Sequence, residues 1–312
     1  MEYITLKNSD LTVSRLCMGG CPMGGYGWGN VQEKELIDAV HAALDNGITL
    51  FDTADTYGLG QSEITLGKAL GKRRKEVVIA DKFGVRVEDG TTFYDNSPEY
   101  IRKALDASLS RLGTDYIDLY QVHYRDGVTP LPDVIGMLEE LKKVGKIRYY
   151  GLSNIHEADY EEIRPFIGRI VSVQDEYSLA CRKNEEELKK LSTDFQMTPF
   201  TWGSLGQGIL TGKYDRNTVF GSDDRRSRDT YVNFHGEKLR KNLDIVEVMK
   251  PMAAERGKPV SAIAVRFILD WLPDSVVLAG AKRPEQILGT IEGLDWKLSN
   301  EELNKLDKIS EN

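Results

Sequence analysis

Apolar positions along the chain fall into short runs that alternate with longer stretches of helical period. The runs at 16–18, 48–52, 77–82, 116–122, 147–152, 170–174, 197–201 and 275–279 read as buried strands. Stretches whose apolar residues recur at three and four follow them, at 33–46, 62–71, 97–112, 131–144, 157–167 and 184–194. Later helices are expected at 238–256, 261–271, 284–292 and 301–309. Local signals agree: Gly47 and Gly145 stop helices, and Ser97-Pro98-Glu99 places a capping hydroxyl, a proline and an acid at a helix start. Ahead of this series, β-prone runs at 3–6 and 11–14 flank Asn8-Ser9-Asp10 and predict a small hairpin.

Eight strand–helix units argue for an α/β protein with a parallel sheet, and within 312 residues for a closed (β/α)8 TIM barrel rather than an open one. An open sheet would carry a Gly-rich phosphate loop after its first strand, but Gly19-Gly20-Cys21-Pro22 lacks that spacing. The polar stretch 203–235 is too long for an idle connection and reads as a lid or ligand clasp.

In such a barrel the reacting groups stand at the carboxyl ends of the strands. There the chain delivers Gly19 and Gly20, Asp52 with Tyr57 just after it, Lys82, and His123. Next come Ser153 and Asn154, then Gln174 and Tyr177, then Trp202, Gly203 and Ser204, then Lys282 and Arg283. Each has a bland reading: Lys82 as a bridge to Asp52, His123 as a satisfied strand-end histidine, Tyr57 as a rim aromatic. Four such coincidences on adjacent strands are far rarer than one. The set suits proton delivery to a carbonyl oxygen. A free tyrosine, with a pKa of about 10, holds its proton tightly at neutral pH. A neighbouring Lys82 ammonium is expected to lower it, at about 1.4 kcal/mol per unit, with Asp52 holding Lys82 charged. His123 would orient the substrate oxygen. No side chain here donates hydride, so a reductase needs a redox cofactor. Asn154 and Gln174 could grip a carboxamide, Trp202 could stack on a flat ring, and Lys282 with Arg283 could take a phosphate.

Composition narrows the partners. A net charge of −8 gives no footprint for nucleic acid or anionic lipid, and the basic run 72–75 reads as a solvated helix end. No apolar run is long enough to span a membrane, and the N-terminus lacks the pattern of a signal peptide. Cys17, Cys21 and Cys181 form no disulfide or zinc framework. A cytoplasmic protein is expected.

With these features the chain resembles the aldo-keto reductase family. The resemblance rests on Phe51-Asp52-Thr53-Ala54-Asp55-Thr56-Tyr57-Gly58, GQSE at 60–63, Asp81-Lys82, and SLSRLGTDYIDL at 108–119. It continues in GKIR at 145–148, GLSN at 151–154, GQGILTGKY at 206–214 and GAKRPEQ at 280–286. It spans essentially the whole chain and is strongest toward the bacterial branch with inositol-locus and general stress reductases. It implies one barrel domain over 1–312, an N-terminal β-hairpin plug and extra helices near the C-terminus. It also implies NADPH, with NADH as the alternative, bound without a dinucleotide-binding domain, and reversible reduction of an aldehyde, ketone or sugar carbonyl. The family tetrad carries onto Asp52, Tyr57, Lys82 and His123, with Tyr57 as proton donor. Cofactor contacts carry onto Gly20, Asp52, Ser153, Asn154, Gln174 and Trp202. The pyrophosphate clasp carries onto Gly203, Ser204, Leu205, Gln207 and Lys213, and the far end of the cofactor onto Lys282, Arg283, Gln286 and Thr290.

Three departures stand out. Trp202-Gly203-Ser204-Leu205 replaces a common Tyr-Ser-Pro-Leu, Thr290 replaces an adenine-binding Asn, and Asp81 replaces Thr or Ser. Strand alternation points Asp81 away from Lys82; bent back, it would give Lys82 a second carboxylate. The short segment after Ile309 suggests an open substrate pocket, with Tyr26, Trp28, Arg125 and Tyr231 as its walls alongside Tyr57 and His123. A cofactor-sensing subunit like the potassium-channel beta subunits is the main competing reading, and an isomerase or lyase on the same barrel another. Monomer and homo-oligomer are both compatible with the sequence.

Overall fold

The computed structural model describes residues 1–311. It opens on an antiparallel pair, β1 (Tyr3–Thr5) and β2 (Thr12–Ser14), in which Tyr3 faces Ser14. Then come β3 (Leu16–Gly19), α1 (Glu33–Asp45), β4 (Leu50–Asp52), α2 (Gln61–Leu70) and β5 (Val78–Phe83). A second hairpin follows, β6 (Val85–Glu88) and β7 (Thr91–Tyr94), before α3 (Pro98–Leu112). The middle of the chain is β8 (Ile117–Val122), α4 (Leu131–Lys143), β9 (Ile147–Ser153), α5 (Tyr160–Ile163) and β10 (Ser172–Glu176). The remainder is α6 (Glu185–Thr193), β11 (Thr198–Trp202), α7 (Gly236–Glu255), α8 (Val260–Trp271), β12 (Val276–Gly280), α9 (Pro284–Ile291) and α10 (Asn300–Ser310).

Eight parallel strands close in the order β3, β4, β5, β8, β9, β10, β11, β12, with β12 returning to β3. The strands are short apolar runs because both of their faces are covered: every residue of β5 and of β8 is buried. Leu6, Leu11 and Val13 of the first hairpin pack with Leu50, Val78, Ala80, Leu119, Val171 and Phe200, and so plug the barrel's amino end. Helix starts follow the local chemistry. Ser97 Oγ accepts from Tyr100 N at 3.3 Å, Pro98 opens α3, and left-handed Gly113 closes it.

Two differences from the sequence pattern have clear causes. The β6–β7 hairpin turns on Asp89 (φ 49°) and Gly90 (φ 77°), an Asp-Gly turn flanked by alternating residues. The expected helix over 157–167 is mostly 3₁₀, with only the single turn α5, because Pro165 cannot continue an α-helical ladder.

The stretch 203–235 folds into three short 3₁₀ turns, Gly206–Thr211, Arg225–Ser227 and Val232–Phe234. It reaches across the carboxyl-end rim to the loop after β3: Trp28 pairs with Asp224, and Arg225 N donates to Gly27 O at 3.0 Å. Among the described residues no helix is long and apolar enough to cross a membrane, and the three cysteines are free thiols.

Candidate active site

At the carboxyl-end rim lies a cavity of about 820 Å³. Its floor is built by β4. Gly20 N donates to Asp52 O at 2.7 Å and Asp55 N donates to Lys82 O at 3.1 Å, so the loop carrying Tyr57 is tied to its neighbouring strands. That loop is also pressed onto the turn after β3. A Cβ on Gly24 would fall 2.6 Å from Gly58 N and from the Tyr57 carbonyl carbon. Glycine is needed there because two backbones touch.

Lys82 Nζ lies 2.6 Å from both oxygens of Asp52, and Gln174 Nε2 donates to Asp52 Oδ2 at 2.8 Å. Lys82 is 0% and Asp52 2% exposed, so this is a buried, hydrogen-bonded ion pair. The ammonium sits 5.1 Å from the centre of the Tyr57 ring. Tyr57 meets His123 edge-on at 5.7 Å. His123 stacks on Tyr124, and Tyr124 on Tyr94 of β7, each at 5.1 Å. Tyr57, His123 and Asp52 line the cavity, while Lys82 lies beneath it.

The electrostatics correct one expectation. Lys82 does not bring the Tyr57 phenol down: burial first, and then Asp52, hold it well above its ordinary range. The ammonium is taken up by the two Asp52 oxygens, and desolvation of a phenolate outweighs what remains. Burial and then the Lys82 charge push His123 well below its usual value, so its imidazole is neutral at pH 7. Among the described residues its buried Nδ1 has no partner. The rim therefore offers a neutral phenol and a neutral imidazole, a donor pair suited to an oxygen gaining negative charge.

Asp81 points as alternation predicts. Its Oδ1 accepts from Lys82 N at 2.8 Å, while the ammonium, among the described residues, bonds only Asp52. Asp81 lies instead in a buried layer with Asp55 and Glu63, where Arg111 Nε bonds Glu63 at 2.5 Å. Burial, then Glu63, push the Asp55 carboxyl up to about 7. A raised carboxyl means that the folded protein keeps a proton that the unfolded chain releases near the ordinary value of 3.8. The stability this contributes is complete below that value and is lost as pH rises through about 7. An Asp55→Asn variant is expected to have a flatter dependence of its urea midpoint on pH across this window. Parallel curves for variant and parent would show that Asp55 does not carry the effect.

The other expected contacts divide. Ser153, Asn154, Gln174, Trp202, Gly203, Ser204, Leu205 and Gln207 line the cavity, as do Lys213, Lys282, Gln286, Thr290, Trp28 and Tyr231. Several are already engaged with the chain. Asn154 Nδ2 donates to His123 O and to Ser153 Oγ at 3.0 Å, and Trp202 Nε1 donates to Asn154 Oδ1 at 3.3 Å. Asn154 and Gln174 thus also pair within the fold, and those bonds set the shape of the wall. Gln207 Nε2 donates to Glu176 at 3.2 Å, and Thr290 Oγ1 to Ile287 O at 2.7 Å.

Four expected residues lie outside the lining. Gly20 is spent on Asp52 O, where a Cβ would come within 2.5 Å of that oxygen. Arg283 turns to Glu35 at 3.1 Å. Arg125 does not wall the pocket, because Glu162 and Asp159 draw it away at 2.7 and 3.6 Å. Tyr26 is 62% exposed and packs on Arg225 and Arg228.

In their place the cavity gains Tyr124, Glu176, Arg225 and Arg226. The two arginines stand in a polar stretch already legible as a clasp, but only the fold shows that they face inward. Arg226 is held by Asp224, at 2.5 and 2.9 Å. Among the described residues, buried Arg225 Nε has no partner. Burial, then Arg226, pull the Lys282 ammonium down from its ordinary value. Lys213, Arg225, Arg226 and Lys282 thus crowd one end of the cavity with positive charge, which suits an anion with several phosphate oxygens.

A model of the Aldo/keto reductase family matches residues 15–311. The NADH-specific methylglyoxal reductase of Escherichia coli K12 is 33% identical, covering 100% of this chain and 99% of its own. Among solved structures, a glycerol dehydrogenase from Gluconobacter oxydans matches with a TM-score of 0.87 at 34% identity, over 98% of this chain and 94% of its own. An aldo-keto reductase from Klebsiella pneumoniae in complex with NADPH matches with a TM-score of 0.77 at 25% identity, over 99% of this chain and 96% of its own.

Proposed function

The chain belongs to the aldo/keto reductase family, and on that premise we propose that it reversibly reduces the carbonyl of an aldehyde, ketone or sugar to an alcohol, with Tyr57 as proton donor and NADPH or NADH as cofactor. One observation carries the reading. The protonated phenol of Tyr57 and the neutral imidazole of His123 face one cavity above the buried Lys82–Asp52 pair.

The cavity fits a dinucleotide on its own chemistry: a cationic end at Lys213, Arg225, Arg226 and Lys282, and an aromatic and amide end at Trp202 and Asn154. Ser153, Asn154, Gln174 and Trp202 would hold the nicotinamide. Gly203, Ser204, Leu205, Gln207 and Lys213 would hold the pyrophosphate, and Lys282, Gln286 and Thr290 the far end. When bound, the reduced nicotinamide supplies a hydride. The chain's part is the proton and the charge. Tyr57 gives its proton to the carbonyl oxygen, and His123 donates a hydrogen bond that orients this oxygen and stabilises its developing charge. Lys82, neutralised by Asp52, keeps the floor rigid and limits the cost of a transient phenolate. With Arg283 turned away, Lys282 is left as the main cation for a 2′-phosphate. The substrate wall formed by Trp28, Tyr124 and Tyr231 combines rings with hydroxyls, which suits a small hydroxylated carbonyl. A cytoplasmic location accords with the free thiols.

The test is a titration with NADPH and NADH followed by tryptophan fluorescence, then a carbonyl panel weighted toward sugars and keto-sugars. Failure to oxidise either cofactor with any carbonyl, with Tyr57→Phe indistinguishable from the parent, would sink the proposal. Lys282→Ala is expected to weaken NADPH binding by about 10-fold or more, the value of a charge-assisted contact, and NADH binding far less. Equal losses for both cofactors would remove Lys282 from the 2′-phosphate end.

A further inference from the structure

We propose that His156, Asp175 and Glu187 form a binding site for a divalent first-row transition cation such as zinc, on the outer side of the barrel away from the cavity. Gln174 and Glu176 of β10 line the cavity. Asp175 between them therefore faces the surrounding helices, as strand alternation requires. It is 2% exposed. Its Oδ1 accepts from Glu176 N at 2.7 Å and from Asn184 Nδ2 at 2.8 Å. Among the described residues its buried Oδ2 has no hydrogen-bond partner. A carboxylate oxygen left bare inside a protein is costly, so this one calls for a ligand.

Two further donors converge there. His156 opens the turn after β9, and Glu187 stands in the first part of α6. Donor atoms of the three side chains all lie within 4.8 Å of one another. Both outer residues are held in place. His156 N donates to Asp159 at 3.1 Å, and Glu187 Oε1 accepts from Glu157 N at 3.2 Å. His156 Nδ1 already meets Glu187 Oε2 at 2.9 Å. The first two contacts fix where His156 and Glu187 stand, and a bound cation would take the place of the direct contact between Nδ1 and Oε2. Lys183, on the following loop, lies 3.9 Å from Glu176 and within electrostatic reach of Asp175 without bonding it. Two carboxylates and one imidazole leave a charge of −2 for a divalent ion to neutralise.

The donor set selects the ion. One imidazole nitrogen with two carboxylate oxygens suits zinc or a neighbouring transition ion, whereas magnesium and calcium favour oxygen alone. The half-exposed side of His156 leaves room for a water as fourth ligand. None of the three residues lines the cavity, so the site is independent of the proposed reduction. Its role would be to pin the end of β10 to α6 and to the turn after β9.

The full chain, stripped with chelator and dialysed, is titrated with zinc chloride by calorimetry, with magnesium chloride as a parallel arm. The expected result is one zinc per chain, no comparable magnesium binding, and a loss of affinity of at least about tenfold in Asp175→Asn and in His156→Gln. The second variant guards against misfolding of the first, because His156 is half-exposed. No zinc binding, equal magnesium binding, or zinc binding retained by both variants would overturn the site.

Discussion

Tyr57→Phe is expected to lower turnover of any carbonyl this protein reduces by about 10²–10⁴-fold, the usual value of a positioned general acid. Cofactor affinity and folding stability should stay near those of the parent. The substitution removes one oxygen and keeps the ring, and it is the ring that meets His123 edge-on and lies beside Lys82. Burial and Asp52 hold the phenol well above its ordinary range, so at pH 7 the parent carries the proton that the variant lacks. Single-turnover measurement of cofactor oxidation separates this chemical loss from binding. A variant with the parent's rate would mean that the proton comes from elsewhere.

Lys82→Met is expected to damage stability as well as rate. The ammonium is wholly buried and bonds both oxygens of Asp52. Removing it leaves a buried carboxylate supported by Gln174 and by little else. Breaking such a pair by deleting one partner costs about 3–5 kcal/mol. Neutralising the stranded partner should restore part of this, so the Asp52→Asn, Lys82→Met double variant is expected to be more stable than Lys82→Met alone. Urea unfolding of the parent, the single variants and the double variant measures the coupling. Strict additivity would mean that the two groups do not form a pair in solution. Tyr57 and Lys82 thus separate chemistry from architecture, since one variant loses rate alone and the other loses both.

Much of the fold is legible in the sequence. Period-2 and period-3.6 patterns and local caps placed each barrel strand and most helices to within a few residues, because these signals act over a single turn or strand. Over 157–167 the apolar period predicts a helix, but Pro165 leaves only 3₁₀ turns around α5. The β6–β7 hairpin lies outside the strand–helix alternation although Asp89-Gly90 is a strong turn signal, and it matters because Tyr94 stacks on Tyr124.

The candidate site was legible where a residue's task follows from its place at a strand end. Asp52, Tyr57 and His123 reach the cavity because strands of a parallel barrel deliver their carboxyl ends to one rim, and Lys82 lies directly below. Loop residues were not legible in this way. Arg125 and Tyr26 carry the right chemistry for a wall, but partners distant in sequence, Glu162 for Arg125 and Arg225 for Tyr26, set their positions.

By itself, then, the sequence determined the barrel, its N-terminal hairpin, and which strand ends carry Asp52, Lys82 and His123, with Tyr57 just after the first, because hydrophobic period and strand-end position are local properties of a chain. Only the tertiary structure decided that the Tyr57 phenol is raised rather than lowered, and that the amides of Asn154 and Gln174 are anchored to His123 O and to Asp52. It alone placed Arg225 and Arg226 at the cavity and Asp81 in a buried acidic layer. Burial, pairing and charge depend on which distant residues come to lie within a few ångströms, and that is a property of the folded chain.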